Sequence, residues 1–219
     1  PKFEKKLSNI VYSEFAVAFN SATSALHIAC LALGLKQGDI VWTSPNTFVA
    51  SANCARFCRA NIDFVDINPK TGLMCIKKLE EKLIIAKKNN LIPKILIPVH
   101  LCGTSCDMRK IFELSKEYGF SIIEDASHAI GAKFYNMPIG NCEFSDITVF
   151  SFHPVKIITT GEGGVATTNK KKLAEKMSKL RTHGITKQKN QMKNNNGFGS
   201  WYYEQQDLGF NYRLTDFQA

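Results

Sequence analysis

Phe15-Ala16-Val17-Ala18-Phe19-Asn20-Ser21-Ala22-Thr23-Ser24-Ala25-Leu26-His27-Ile28-Ala29-Cys30-Leu31-Ala32-Leu33-Gly34 is the stretch that sets the fold class. It reads as an apolar strand over 15–19, a polar junction at Asn20-Ser21, and a helix from Ser21 onward. In that helix Ala22, Ala25, Leu26, Ala29 and Leu33 recur at helical spacing, and Gly34 stands near its stop. The alternation continues outward. Strands are predicted over 40–43 (ended by Pro45), 62–65, 95–99, 121–124, 147–152 and 164–167, and helices over 46–58, 76–88, 108–118 and 170–181. Strands alternating with helices imply an α/β fold, a mainly parallel sheet with helices on both faces. Ligands of such sheets sit beyond the carboxyl ends of the strands. Asn20-Ser21, Asp125 and residues 151–156 all occupy that position.

The chain has 219 residues, enough to bury a sizeable core, and 44% of them are hydrophobic and 21% charged, an ordinary globular balance. No apolar run approaches the ~20 residues that span a bilayer. The opening Pro1-Lys2-Phe3-Glu4-Lys5-Lys6 has no apolar stretch behind its charges, so no signal peptide and no membrane association are expected. The net charge of +9 suits anionic substrates as well as nucleic acid. Its excess is Lys interleaved with Asn, as in Lys87-Lys88-Asn89-Asn90, with no arginine stripe carrying aromatics, so no nucleic-acid partner is expected. Seven cysteines are present and none forms a Cys-x-x-Cys pair, which argues against a metal ribbon or a redox motif. The plainer reading is small buried hydrophobes in a reducing cytoplasm, with Cys54 and Cys58 able to share a helix face. Residues 188–199, rich in Asn and Lys, read as a surface loop, and 214–219 as a helix cut short with Thr215 as its cap.

Three constellations carry chemistry. Small hydroxyl residues at Asn20-Ser21-Ala22-Thr23-Ser24 meet a helix N-terminus, where free amides bind anions, although an ordinary N-cap looks the same. Glu124-Asp125-Ala126-Ser127-His128 places a carboxylate directly after a buried strand, where it can hold a metal, orient a histidine or protonate a ring nitrogen. Phe150-Ser151-Phe152-His153-Pro154-Val155-Lys156 followed by Thr160-Gly161-Glu162-Gly163-Gly164 sets a lysine in a glycine-rich loop between strands. That loop fits neither a dinucleotide fingerprint nor a phosphate loop. A phosphate cradle, a carboxylate for a pyridine nitrogen and a lysine for an aldehyde together are what pyridoxal 5'-phosphate requires.

Those motifs, with Trp201-Tyr202-Tyr203 and Leu208-Gly209-Phe210-Asn211-Tyr212-Arg213-Leu214-Thr215-Asp216, resemble the DegT/DnrJ/EryC1/StrS sugar aminotransferases through nearly the whole chain. The resemblance implies the large domain of the aspartate-aminotransferase fold (fold type I) over 1–219, with an N-terminal segment and a smaller C-terminal domain missing. It implies Lys156 as the Schiff-base lysine and Asp125 as partner of the pyridine nitrogen. Ala22 and Thr23, with Ser21 beside them, match the phosphate-binding turn, and Ser151 matches a hydroxyl on the phosphate. Phe48 matches an aromatic stacked on the ring, though read alone it would be core. His128 stands near the cofactor's phenolic oxygen, where many members carry Gln. Asn211 matches a residue reaching the phosphate of a neighbouring subunit, which implies a homodimer with shared sites. No metal is implied. The implied reaction moves an amino group, with glutamate as donor, to a nucleotide-linked 4-keto-6-deoxy sugar, most like the UDP-linked N-acetyl-hexosamine of pseudaminic-acid pathways. Three other readings compete with it. A dehydratase of the same family carries His where this chain has Lys156, a desulfurase needs a reactive loop cysteine, and a non-catalytic binder has little need for Lys156, Asp125 and Asn211 together.

Overall fold

The computed structural model describes residues 2–193, 199 and 201–219. Its centre is a seven-stranded sheet built from β1 (Phe15–Phe19), β2 (Ile40–Thr43), β3 (Asn61–Phe64), β4 (Ile95–Ile97), β5 (Ser121–Asp125), β8 (Ile147–Ser151) and β9 (Gly164–Thr168). The spatial order is β1-β9-β8-β5-β4-β2-β3. Pairings from β8 across to β3 are parallel, and β9 runs antiparallel to both β1 and β8. The carboxyl ends of β1, β5 and β8 and the start of β9 therefore meet along one edge. The expected α/β class and mainly parallel sheet are observed.

Period-two alternation of strand residues explains the layers. Val17, Phe19, Val41, Ile95, Ile97, Ile123, Ile147, Val149 and Ala166 face one core. They pack there with α2 (Ala22–Ala32), α3 (Ala50–Phe57) and α6 (Lys171–Leu180). Their neighbours Trp42, Leu96 and Ile122 face the opposite side, under α4 (Ile76–Lys88) and α5 (Met108–Tyr118). Helix ends follow local chemistry. Asp107 caps α5 by accepting from the Lys110 amide at 3.2 Å, and Gly119, at φ 81°, ends it in the left-handed conformation that glycine adopts without a Cβ clash.

Five local expectations change. A helix α1 (Lys2–Val11) covers the chain start, with Leu7 and Val11 buried and Phe3 edge-on to Phe152 at 5.5 Å between ring centroids. Helix α3 begins at Ala50 rather than at 46, and residues 45–49 form bends and a turn instead. A short hairpin, β6 (Lys133–Phe134) and β7 (Met137–Pro138), turns at Tyr135-Asn136, both at positive φ as a two-residue type I′ turn requires. The predicted C-terminal helix is a single turn, in which Thr215 Oγ1 does accept from the Gln218 amide at 3.2 Å. The expected loop over 188–199 begins with a 3-10 turn at Lys189–Gln191, and its residues 194–198 lie outside the described residues. Among the described residues no helix is long and apolar enough to cross a membrane, and no group of three or more His, Cys, Asp or Glu is placed to hold a metal ion.

Candidate active site

A cavity of about 290 Å³ opens where β1, β5, β8 and β9 meet, lined by Ser21, Ala22, Thr23, Phe48, Asp125, His128, Ser151 and Lys156 among others. Eight of the nine site residues expected from the sequence thus share one cavity. Asn211 does not: it is exposed, pairs with Thr182 in a backbone bridge, and stands away from the cavity in this single chain.

One wall is the start of α2. Ser21, in extended conformation, caps the helix by accepting from the Ser24 amide at 3.1 Å. The Ser24 hydroxyl in turn donates to Asn20 Oδ1 at 2.6 Å. The first amides of a helix lack intrahelical partners, and Ala22 and Thr23, which supply two of them, line the cavity. The N-cap reading is observed at Ser21, and it leaves the amides that follow without an intrahelical partner. Gly164 makes this packing possible. A Cβ there would stand 2.4 Å from both the Ala22 nitrogen and the Ser21 carbonyl carbon. Gly164→Ala is expected to displace the α2 start and destabilise the fold by ~1–3 kcal/mol, read as a lowered denaturant midpoint.

The opposite wall is the end of β5. Asp125 is buried, and its carboxylate accepts from Ser51 Oγ at 2.6 Å on one oxygen and from Ser127 Oγ at 2.6 Å and the Ser127 amide at 3.1 Å on the other. Ser51 is supplied by α3 and is itself 2.8 Å from Thr47 Oγ1. The Asp125 amide donates to Pro98 O at 2.9 Å and its carbonyl accepts from the His100 amide at 3.0 Å, so the backbone is held as well. Ser51 lies 74 residues from Asp125 in the chain, and nothing local in the sequence marks it as a partner.

Behind Asp125, Glu124 points into a buried network. It accepts from His100 Nε2 at 2.7 Å, Ser145 Oγ at 2.5 Å and Thr148 Oγ1 at 2.8 Å. The Cys106 amide donates to His100 Nδ1 at 3.2 Å, so the ring carries its proton on Nε2, facing Glu124. Burial alone would raise the Glu124 pKa, but the His100 contact and the two hydroxyls outweigh it and hold the carboxyl below its ordinary value. A lowered folded-state value stabilises the fold above the unfolded value of about 4.3, and that contribution disappears as pH falls through the folded value. Glu124→Gln should therefore flatten the acid limb of a Tm-against-pH curve below about pH 4 relative to wild type. Neither His100 nor Glu124 was assigned a role from the sequence. Their chemistry is legible only once β4 and β5 are paired.

The third wall is the loop between β8 and β9. The Phe152 amide donates to Gly163 O at 2.9 Å and the Thr160 amide to Phe152 O at 3.1 Å, which closes the loop on itself. Lys156 rides on it, its amide donating to His153 O at 2.9 Å. Ser151, the last residue of β8, is buried with its Oγ accepting from the His153 amide at 3.4 Å. His128 is half-buried, and its Nδ1 accepts from the Cys102 amide at 3.2 Å. Burial and the nearby Lys156 charge lower its pKa, partly opposed by Asp125, so the ring is neutral at pH 7 with its proton on Nε2. Phe48 is 73% exposed beside the cavity, which excludes the core reading. His153 and Glu162 also line the cavity, their Nε2 and Oε1 atoms 3.8 Å apart, and neither carries a role in the sequence reading.

A mainly parallel sheet flanked by helices, with a buried carboxylate, a loop lysine and a helix start on one cavity at its strand ends, is the fold of the fold-type-I transferases. Within that class the chain belongs to the DegT/DnrJ/EryC1/StrS aminotransferase family, whose model matches residues 1–219. The UDP-4-amino-4,6-dideoxy-N-acetyl-beta-L-altrosamine transaminase of Campylobacter jejuni is 40% identical over 215 residues, covering 98% of this chain and 53% of its own length. The solved Helicobacter pylori PseC, an aminotransferase involved in the biosynthesis of pseudoaminic acid, superposes with a TM-score of 0.84 at 32% identity, over 99% of this chain and 54% of that one. NtdA of Bacillus subtilis, solved with bound cofactor PMP, gives 0.81 at 31% identity, over 99% and 45%. The chain spans about half the length of the curated relatives it matches.

Proposed function

We propose that this chain is the cofactor-binding large domain of a pyridoxal-phosphate-dependent aminotransferase that places an amino group on a nucleotide-linked 4-keto-6-deoxy sugar. One observation carries the reading: Lys156, the buried Asp125 and the residues Ser21, Ala22 and Thr23 at the α2 start line a single cavity. The residues present fit the cofactor. The cavity is near the lower end of the ~300–1,000 Å³ usual for ligand pockets. Asp125 is held by donors on both oxygens and still lines the cavity, and Gly164 lets β9 pack closely on the backbone of Ser21 and Ala22 at the α2 start.

When bound, pyridoxal phosphate supplies an electron sink for negative charge at the substrate α-carbon. The chain's residues do the rest. The Ala22 and Thr23 amides and Ser151 hold the phosphate. Asp125, fixed by Ser51 and Ser127, keeps a proton on the ring nitrogen. Phe48 would cover the ring, and His128 would offer it the Nε2 proton. Lys156 Nζ would hold the cofactor, and its amine would be the group that carries a proton to and from the reacting carbon.

Glutamate as donor, a UDP-linked N-acetyl-hexosamine as acceptor and action in the cytoplasm extend this reading. So does a homodimer in which Asn211 reaches the neighbouring phosphate, which its exposed position supports. The test is to incubate the full-length protein with pyridoxal phosphate, glutamate and a UDP-4-keto-6-deoxy-N-acetyl-hexosamine. Stoichiometric 2-oxoglutarate and amino sugar support the proposal. Oxoglutarate without amino sugar rejects this acceptor, and neither product rejects the reaction.

A further inference from the structure

Residues 98–103 lead out of β4 and lie against the end of β5, where they touch two of the residues assigned to the cofactor. Pro98 O accepts from the Asp125 amide at 2.9 Å and the His100 amide donates to Asp125 O at 3.0 Å, so Asp125 is gripped at both ends of its backbone. Two residues further on, the Cys102 amide donates to His128 Nδ1 at 3.2 Å. The turn that presents this amide is tight. Cys102 stands at φ 52°, in the left-handed region that non-glycine residues seldom enter. Gly103 follows at φ 85°, and a Cβ there would stand 2.9 Å from His128 O. A non-glycine residue keeps such a conformation only where its surroundings hold it.

The surroundings that hold this turn centre on the His100 ring. The residue has no exposed surface, and both ring nitrogens are engaged. Nε2 donates to Glu124 Oε2 at 2.7 Å, which ties the segment to β5, and Nδ1 accepts from the Cys106 amide at 3.2 Å, which closes the chain that follows back onto the ring. The Gly103 amide closes the same turn on His100 O at 3.1 Å. Glu124 is itself fixed by Ser145 Oγ at 2.5 Å and Thr148 Oγ1 at 2.8 Å, so the ring is anchored to a post that is already held. His100 and Leu101 also line the cavity, so a shift of this segment reaches the ligand space directly.

We propose that His100 is a positioning residue for the cofactor site. Its buried ring pins segment 98–103, and the segment sets Asp125 through the backbone and His128 through Nδ1. The inference rests on the cofactor assignments of Asp125 and His128 proposed above. The Cys102 amide keeps the His128 proton on Nε2, and the two backbone bonds fix where the Asp125 carboxylate stands. A misplacement of about 1 Å in such groups costs on the order of 10²-fold in rate. His100 itself needs no contact with the cofactor for this effect.

The test compares full-length wild type with His100→Gln, His100→Asn and His100→Ala. Each is loaded with pyridoxal phosphate and checked for native circular dichroism at the assay temperature. Gln carries an amide donor to the reach of Nε2, whereas Asn is too short to meet Glu124 and keeps only an acceptor for the Cys106 amide. Two quantities are read: the rate at which saturating glutamate bleaches the visible band, and the pH at which that band changes without glutamate. Asn and Ala are expected to slow bleaching by about 10²-fold and to displace the pH midpoint by about one unit, while Gln stays within about tenfold of wild type and keeps the midpoint. Where Ala does not fold, Asn and Gln decide. A folded Asn variant with wild-type rate and midpoint, or a Gln variant as impaired as Asn, overturns the proposal. So does a lowered Tm with both quantities unchanged, which would make His100 a stability residue only. A wild-type protein that develops no band rejects the cofactor reading and this assignment with it, whereas a wild-type band that the variants leave unaltered rejects this assignment alone.

Discussion

Replacing Lys156 with alanine is expected to lower the rate of amino transfer by about 10³-fold or more, since in the proposed assignment it removes both the anchoring amine and the proton carrier. Stability should change by no more than ~0.5 kcal/mol. Lys156 is only partly buried, and only its backbone amide is bonded to the loop that carries it. Oxoglutarate release and a denaturant melt read the two effects separately. A variant within about tenfold of wild type would remove Lys156 from the chemistry.

The second large effect is at Asp125. Asp125→Asn keeps the shape and an acceptor for the neighbouring hydroxyls but loses the negative charge that retains a proton on the ring nitrogen. A loss of about 10²–10³ in kcat is expected. Asp125→Ala adds a structural defect, because the Ser51 and Ser127 hydroxyls then lose their buried acceptor, at a cost of ~1–3 kcal/mol. The pair separates charge from scaffold. If Asn and Ala lower Tm equally while kcat is untouched by Asn, Asp125 is a structural residue.

The sheet was readable because its strands carry apolar residues to both faces and stop at polar junctions. Val41 and Trp42, or Ile122 and Ile123, end up in different cores although adjacent in the chain. The site residues on strand ends were readable for the same reason, since chain order alone puts Ser21, Asp125 and Ser151 after strands that lie close together. Helix α1 left a signal that charge obscured. Phe3, Leu7 and Val11 recur every four residues between the lysines, and that face packs against Phe152, Phe150 and Ala18. The partners of the site residues were not legible. Ser51, His100 and Thr148 gain their roles from pairings across the sheet and between layers, and each is unremarkable in its own segment, whereas Ser127 reaches Asp125 from two residues on. Phe48 shows the reverse case. Hydrophobicity alone sends it to the core, and only the family pattern placed it at the cavity, where it stands exposed.

The most direct test of the central claim is the visible absorbance spectrum of the full-length protein titrated with pyridoxal phosphate, before and after glutamate. A yellow band saturating at one cofactor per chain, bleached by glutamate and missing in Lys156→Ala, is the predicted result. A well-folded protein that develops no such band, or one whose band is unchanged in Lys156→Ala, would contradict the assignment of Lys156 and of the cavity around it.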